Sequence, residues 1–122
     1  MKLLIVDDST MLRDMLSYAL NEGGYTDVTE SIDGVDGLSK AKETQYDLII
    51  SDVNMPNMDG LTMVSEIRKL PQYSKTPILV LTTERSDDMK TKGKQAGATG
   101  WIVKPFVPDQ LLKAVNIVLS KK

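Results

Sequence analysis

Short apolar runs of strand length alternate with amphipathic segments along the whole chain. Strands are predicted for five runs: 2–6, 26–31, 47–51, 77–82 and 99–103. Helices are predicted between and after them, from the cap Ser9 to Gly23, over 33–44, from Gly60 to Leu70, over 86–95 and from Pro108 onward. Helices that join strands in this way act as crossover connections between parallel strands. The pattern therefore predicts an α/β fold whose parallel sheet is covered on both faces, with the polar run 26–31 at an edge.

Composition limits the class of protein. The 122 residues are 41% apolar and 26% charged, which predicts one soluble globular domain. The sequence has no apolar run of membrane-spanning length and no signal-like N-terminus, so a cytoplasmic protein without membrane association is expected. A net charge of −2 gives no reason to expect a nucleic-acid partner. Because Cys and His are absent, any chemistry must use carboxylates, Lys, hydroxyls or a bound ion.

Acidic residues follow two of the predicted strands. Asp7 and Asp8 come directly after the first strand, and Asp52 comes directly after the third. The carboxyl ends of parallel strands share one edge of a sheet, where such folds bind ligands. Three carboxylates at one edge repel each other unless protons or a cation intervene. Mg²⁺ is the expected cation, because it prefers oxygen ligands and keeps positions open for water or phosphate.

Two further polar residues follow strands at the same predicted edge. Thr82 ends the fourth strand, and Lys104 follows the fifth. Carboxylates, a hydroxyl and an ammonium group are the parts needed to hold Mg²⁺ and a phosphoryl group together. The set predicts phosphoryl chemistry, although each residue alone would suggest only a helix cap, a turn or a surface charge.

The sequence resembles the response-regulator receiver domains, and in particular the stand-alone, CheY-like chemotaxis receivers. The resemblance covers nearly the whole chain and is carried by Asp7-Asp8, the run from Asp52 to Gly60, Thr82, and the run from Ala96 to Phe106. It implies a flavodoxin/CheY-like fold, a doubly wound five-stranded parallel sheet of order 2-1-3-4-5 with five helices. It also implies a single receiver domain over 1–122, without an output domain, that acts as a monomer.

The resemblance assigns the phosphoacceptor and the metal ligands. Asp52 would accept a phosphoryl group from the phosphohistidine of a sensor kinase, forming an acyl phosphate. Asp8 and Asp52 would bind Mg²⁺ directly, together with the backbone carbonyl of Asn54. Asp7 would act mainly through a metal-bound water. Water attack on the acyl phosphate would reset the protein, so the chain is expected to be a signalling phosphoacceptor that catalyses only its own phosphorylation and dephosphorylation.

The resemblance also assigns switching and rate-tuning residues. Lys104 would pair with the phosphoryl group, and Thr82 would move to hydrogen-bond it. Asn54 and Glu84 occupy positions that resemble the rate-tuning sites of the family, beside the attacking water. Trp101 departs from the family, which most often has Tyr or Phe there. Its larger ring and its N–H argue against a full inward swing, and a surface Trp without a switching role is the alternative.

Partners are also implied by the resemblance. A chemotaxis-type histidine kinase would supply the phosphoryl group, and a phosphatase is an allowed further partner. The output partner would be the flagellar motor switch or another target, recognised by the 86–95 helix, Trp101 and the last helix. A phosphorelay intermediate that passes the phosphoryl group to a histidine-containing transfer protein remains open.

Two alternatives from other classes fit less well. A phosphatase with an aspartyl-phosphate intermediate would need an acid two residues after the nucleophile, where this chain has Asn54. A flavin carrier of the same topology would need a hydroxyl- and Gly-rich phosphate loop after the first strand. There, Asp7 and Asp8 would repel the flavin phosphate.

Overall fold

A computed structural model describes residues 1–83 and 87–120 of the chain. Strands and helices alternate through these residues, with one short 3-10 helix at Pro71–Tyr73. The strands are β1 (Lys2–Val6), β2 (Asp27–Ser31), β3 (Leu48–Asp52), β4 (Ile78–Thr82) and β5 (Gly100–Val103). The α-helices are α1 (Thr10–Glu22), α2 (Gly34–Glu43), α3 (Gly60–Arg68), α4 (Asp87–Ala96) and α5 (Pro108–Ser120).

The strands form one parallel sheet in the order β2-β1-β3-β4-β5, which confirms the expected topology. The polar strand β2 lies at one edge, as predicted, and β5 lies at the other. Strands β1 and β3 are neighbours near the centre, with Val6 in register with Ser51. The residues that follow β1 and β3 are therefore brought side by side at the carboxyl edge.

Apolar side chains on the two faces of the sheet form two separate cores. Along β1, alternate residues point to opposite faces. Leu3 and Ile5 pack with α1 and α5, whereas Leu4 and Val6 pack with α2 and α3. Apart from the exposed Lys2 at the start of β1, all residues of β1, β3 and β4 are buried, as expected for a parallel sheet with helices on both faces.

Capping side chains fix three helix starts at the carboxyl edge of the sheet. Ser9, Asp33 and Asp59 precede α1, α2 and α3, and each side chain accepts a hydrogen bond from a backbone N–H of the first turn. Such caps satisfy donors that a helix start otherwise leaves unpaired. The loops from strand to helix are therefore anchored at their helical ends.

The structure shifts one functionally important boundary. β3 was predicted to end at Ser51, but it extends to Asp52, which lies in register with Leu81 of β4. The backbone N–H of Val53 continues the ladder by donating to the Leu81 carbonyl at 3.2 Å. Asp52 is therefore held as part of the sheet. Within the described residues, no helix has the length and apolarity needed to cross a membrane.

Candidate functional site

Three carboxylates meet at the carboxyl edge of β1 and β3. Asp7 and Asp8 follow β1 directly, and Asp52 is the last residue of β3. One carboxylate oxygen from each residue lies within 4.8 Å of the other two. Asp7 and Asp52 are buried, whereas Asp8 is exposed. The structure thus brings together the three acids that the sequence placed at this edge.

Asp7 is the most deeply buried member of this cluster. Its backbone N–H donates to the Ser31 carbonyl at 3.1 Å, and its Oδ1 accepts from the Ser9 N–H at 2.9 Å. Its Oδ2 is buried and has no hydrogen-bond partner among the described residues. Burial raises the pKa of this carboxyl, and the hydrogen bond from Ser9 and the Lys104 ammonium oppose that effect only in part.

Asp52 is fixed through its backbone and through one carboxylate oxygen. Its Oδ1 accepts from the Val53 N–H at 2.8 Å, and its carbonyl accepts from the Ser51 hydroxyl at 2.8 Å. The Lys104 Nζ lies 3.0 Å from the same Oδ1. Among the described residues, both of these side-chain contacts are made by Oδ1 and none by Oδ2.

Lys104 bridges the two buried carboxylates. Its Nζ lies 3.5 Å from Asp7 Oδ2 and 3.0 Å from Asp52 Oδ1, and its side chain is 14% exposed. Its backbone N–H donates to the Thr82 carbonyl at 2.8 Å, which ties the ends of β4 and β5 together. The peptide bond between Lys104 and Pro105 is cis. One ammonium group therefore faces a cluster of three carboxylates.

The donor set of this cluster fits a hard divalent cation. All three ligands are oxygens, which Mg²⁺ prefers. In the part of the chain that the structure describes, the buried Asp7 Oδ2 has the Lys104 Nζ at 3.5 Å but no hydrogen bond, and a metal or a metal-bound water would satisfy it. A single Lys cannot neutralise three carboxylates, so a further positive charge would be stabilised here.

Mg²⁺ should raise the melting temperature of this protein. A ligand that binds only the native state adds about 2.7 kcal/mol to the unfolding free energy at 100 times its Kd. Asp8→Asn should stabilise the metal-free protein slightly, by removing repulsion, and should reduce the effect of Mg²⁺. Differential scanning calorimetry with EDTA and with Mg²⁺ measures both effects. Melting curves that coincide in the two conditions would contradict the prediction.

The raised pKa of Asp7 gives this effect a pH dependence. In the metal-free protein, the folded state binds the Asp7 proton more tightly than the unfolded chain does. This stabilises the fold, and the stabilisation is complete below the unfolded pKa of about 3.9. It is lost as the pH rises through the higher folded pKa. Metal binding requires the ionised carboxylate, so the increase in melting temperature with Mg²⁺ should shrink as the pH falls through the folded pKa of Asp7.

The remaining candidate residues lie outside this carboxylate cluster. Thr82 is buried at the end of β4, one residue beyond the strand partner of Asp52. Asn54 is exposed in the loop between β3 and α3. Glu84 lies outside the described residues. Trp101 lies on edge strand β5, 38% exposed, with the Lys90 Nζ 5.6 Å from its ring centroid.

Sequence reasoning missed Arg13, which supports the site from α1. Its Nη1 donates to the Asp7 carbonyl at 2.6 Å, and its Nε donates to Glu30 Oε1 at 3.2 Å. Arg13 thereby fixes the backbone of a cluster residue and neutralises a nearby acid on β2. The available signal was weak, because an Arg on a helix usually indicates a solvated face.

Comparisons with known proteins match nearly the whole chain. The family model described as response regulator receiver domain matches residues 3–116. Chemotaxis protein CheY1 of Helicobacter pylori is 37% identical over 121 residues, covering 98% of each chain. Chemotaxis protein CheY-3 of Vibrio cholerae is 31% identical, covering 99% of this chain and 93% of the relative.

Solved structures show the same architecture. The crystal structure of Vibrio cholerae chemotaxis protein CheY4 superposes with a TM-score of 0.91 at 50% identity. It covers 96% of this chain and 97% of the other. A response regulator structure from Chloroflexus aurantiacus superposes with a TM-score of 0.92 at 34% identity, covering 98% and 97% of the two chains.

Proposed function

The chain belongs to the response regulator receiver domain family, and we propose that it is switched by transfer of a phosphoryl group onto Asp52. The observation that carries this proposal is the Lys104 ammonium 3.0 Å from Asp52 within a cluster of three carboxylates. The donor would be the phosphohistidine of a histidine kinase. The product would be a signalling state rather than a released compound, so the chain catalyses only its own phosphorylation and dephosphorylation.

Asp52 acts as the nucleophile in this proposal. Its Oδ2 forms a bond to phosphorus while the bond from phosphorus to the imidazole nitrogen breaks, and the imidazole leaves. The Lys104 ammonium already contacts Oδ1, and after transfer it can pair with the negatively charged phosphoryl oxygens. Hydrolysis later returns the carboxylate and releases inorganic phosphate, with Asn54 and Glu84 as the rate-tuning residues.

Mg²⁺ fits the same site. Asp7, Asp8 and Asp52 would hold it, together with the backbone carbonyl of Asn54. When bound, it offsets the charge that the phosphoryl oxygens bring to a site already rich in carboxylates. Asp7 is buried beside Lys104, so its charge also affects how the Lys104 ammonium interacts with an arriving phosphoryl group.

The conformational signal is proposed to pass along β4 and β5. Thr82 would hydrogen-bond the phosphoryl group, and its carbonyl already accepts from the Lys104 N–H. Lys104 follows β5, which carries Trp101 three residues earlier. A shift at Thr82 and Lys104 would therefore reach the edge of the sheet, where Trp101 and Lys90 of α4 form part of the surface.

The partners are proposed from the relatives and from this surface. Relatives from Helicobacter pylori and Vibrio cholerae are named chemotaxis proteins, which supports a chemotaxis-type kinase and a flagellar motor switch target. The output surface would comprise α4, Trp101 and α5, in a cytoplasmic and monomeric protein. A phosphorelay role is the second candidate, and pull-downs with a motor switch protein and a histidine-containing transfer protein would separate the two.

Trp101 should report activation. It is the only Trp, so indole fluorescence comes from one site. Adding Mg²⁺ and beryllofluoride, which mimics a phosphoryl group, should change its emission and its access to a quencher. Neither compound alone should do so. Because the ring already lies at the surface beside Lys90, the expected change is partial and not a full burial.

Two variants control this measurement. Asp52→Asn should abolish the fluorescence response, because it removes the oxygen to which beryllium binds. Lys104→Ala should still bind Mg²⁺ but should lose the response, since its ammonium contacts Asp52 and would contact the phosphoryl mimic. Emission that stays flat while beryllofluoride demonstrably binds would remove Trp101 from the switch.

A further inference from the structure

Asp33 uses its two carboxylate oxygens for two different segments of the chain. Its Oδ1 accepts from the Asp36 N–H at 2.8 Å, which caps α2. Its Oδ2 accepts from the Asn57 Nδ2 at 2.7 Å, across 24 residues of sequence. Asp33 is 7% exposed. A helix cap needs only the first of these bonds, so the second bond requires another explanation.

The partner, Asn57, lies in the loop that joins the phosphoacceptor strand to α3. The backbone of Asn57 has φ +69°, a left-handed conformation that Asn tolerates better than most residues. The loop is closed at its base, because the Gly60 N–H donates to the Val53 carbonyl at 2.8 Å. Asn54 lies within this closed loop. The contact with Asp33 therefore attaches the far side of the loop to the start of α2, in addition to the packing of Met55 and Met58 against the core.

A second contact brings the same two segments together. A Cβ placed on Gly34 would lie 2.4 Å from the Met58 carbonyl oxygen and 2.9 Å from its Cβ. The residue after Asp33 thus touches the residue after Asn57, with no room for a side chain between them. The start of α2 and the loop are in direct contact at two adjacent positions.

We infer that Asp33 is a positioning residue that holds the 53–59 loop, through Asn57, in the conformation that presents the Asn54 carbonyl to the divalent cation. This inference rests on the proposed function and adds a role for a residue outside the carboxylate cluster. The bonds from the Asp36 N–H and the Asn57 amide also keep the pKa of Asp33 below its usual value, so Asp33 remains an acceptor at neutral pH.

Two single substitutions separate this role from helix capping. Asp33→Ser keeps a good N-cap but has only one side-chain oxygen, too few to hold α2 and Asn57 together. Asn57→Gly still allows the left-handed backbone and removes the amide, although it also makes the loop backbone more flexible. Each should weaken Mg²⁺ binding about tenfold, the usual size for a residue that orients a metal ligand. The double variant should bind Mg²⁺ no more weakly than either single one, because both remove the same contact.

The measurement is the Kd of Mg²⁺ by isothermal titration calorimetry, alongside melting of the metal-free proteins and labelling of the wild type by acetyl phosphate. Equal Mg²⁺ affinity in the wild type and both single variants overturns the inference, as does strictly additive weakening in the double variant. If Asp33→Ser does not fold, Asn57→Gly alone decides the question. If the wild type binds Mg²⁺ and is labelled, the proposed function stands whatever the variants show. If the wild type neither binds Mg²⁺ nor is labelled, both the proposed function and the inference about Asp33 are overturned.

Discussion

Asp52→Asn is expected to reduce phosphorylation of this protein to background, while the wild type takes up a single phosphate from acetyl phosphate and Mg²⁺. Asp52 is the cluster carboxylate that lies in the sheet itself, with Oδ1 held by the Val53 N–H and by Lys104. An amide in its place keeps the shape but is a poor nucleophile toward phosphorus. Intact-mass spectrometry measures the uptake, and an acyl phosphate should be lost on treatment with base or hydroxylamine.

Asp59→Asn is the matched control for this experiment. Asp59 is also an acid close to the cluster in sequence, but its carboxylate caps α3 by accepting from the Thr62 N–H at 2.8 Å. Asn caps a helix as well as Asp does, so this variant should fold normally and be labelled like the wild type. Robust labelling of Asp52→Asn would show that the phosphoryl group goes elsewhere.

Gly60→Ala should lower the free energy of unfolding by about 3 kcal/mol or more. A Cβ on Gly60 would lie 2.0 Å from the Asp52 carbonyl oxygen and 3.0 Å from the Val53 Cα. Both are backbone atoms that cannot rotate away. Gly60 cannot retreat either, because its N–H is bonded to the Val53 carbonyl at 2.8 Å. Urea unfolding followed by circular dichroism measures the loss.

Gly93→Ala provides the contrast within the same fold. Gly93 lies inside α4, and a Cβ there would meet no atom of the described residues within 4 Å. Ala is the better helix former by about 0.5–1 kcal/mol, so this variant should be slightly more stable than the wild type. A Gly60→Ala midpoint equal to that of the wild type would show that the end of β3 can move aside, contrary to the tight contact described here.

The sheet and the position of the acids could be read from the sequence because both depend on local patterns. Apolar runs located the strands, and the rule that parallel strands share a carboxyl edge placed Asp7, Asp8 and Asp52 together. The strand order came from the family resemblance, since apolar runs do not specify which strands pair. Asp52 was placed one residue beyond its strand, because its inclusion depends on pairing with Leu81 of a neighbour.

The contacts that support the site could not be predicted from the sequence in the same way. Asp33 has the sequence signature of a helix cap, and nothing local shows that its second oxygen reaches Asn57. Arg13 similarly looks like a surface residue until α1 is packed beside the end of β1. Such contacts depend on how helices and loops meet across the sheet, and that geometry is set by packing rather than by spacing along the chain.

Lys104 gives the acidic cluster a cation that belongs to the chain itself. Because its ammonium group contacts both Asp7 and Asp52, part of the repulsion is offset as soon as β5 joins the sheet. Folding therefore need not wait for an ion from the surroundings. Under the proposed function, divalent ions would set the rate of phosphorylation, and they would add stability to a chain that already folds without them.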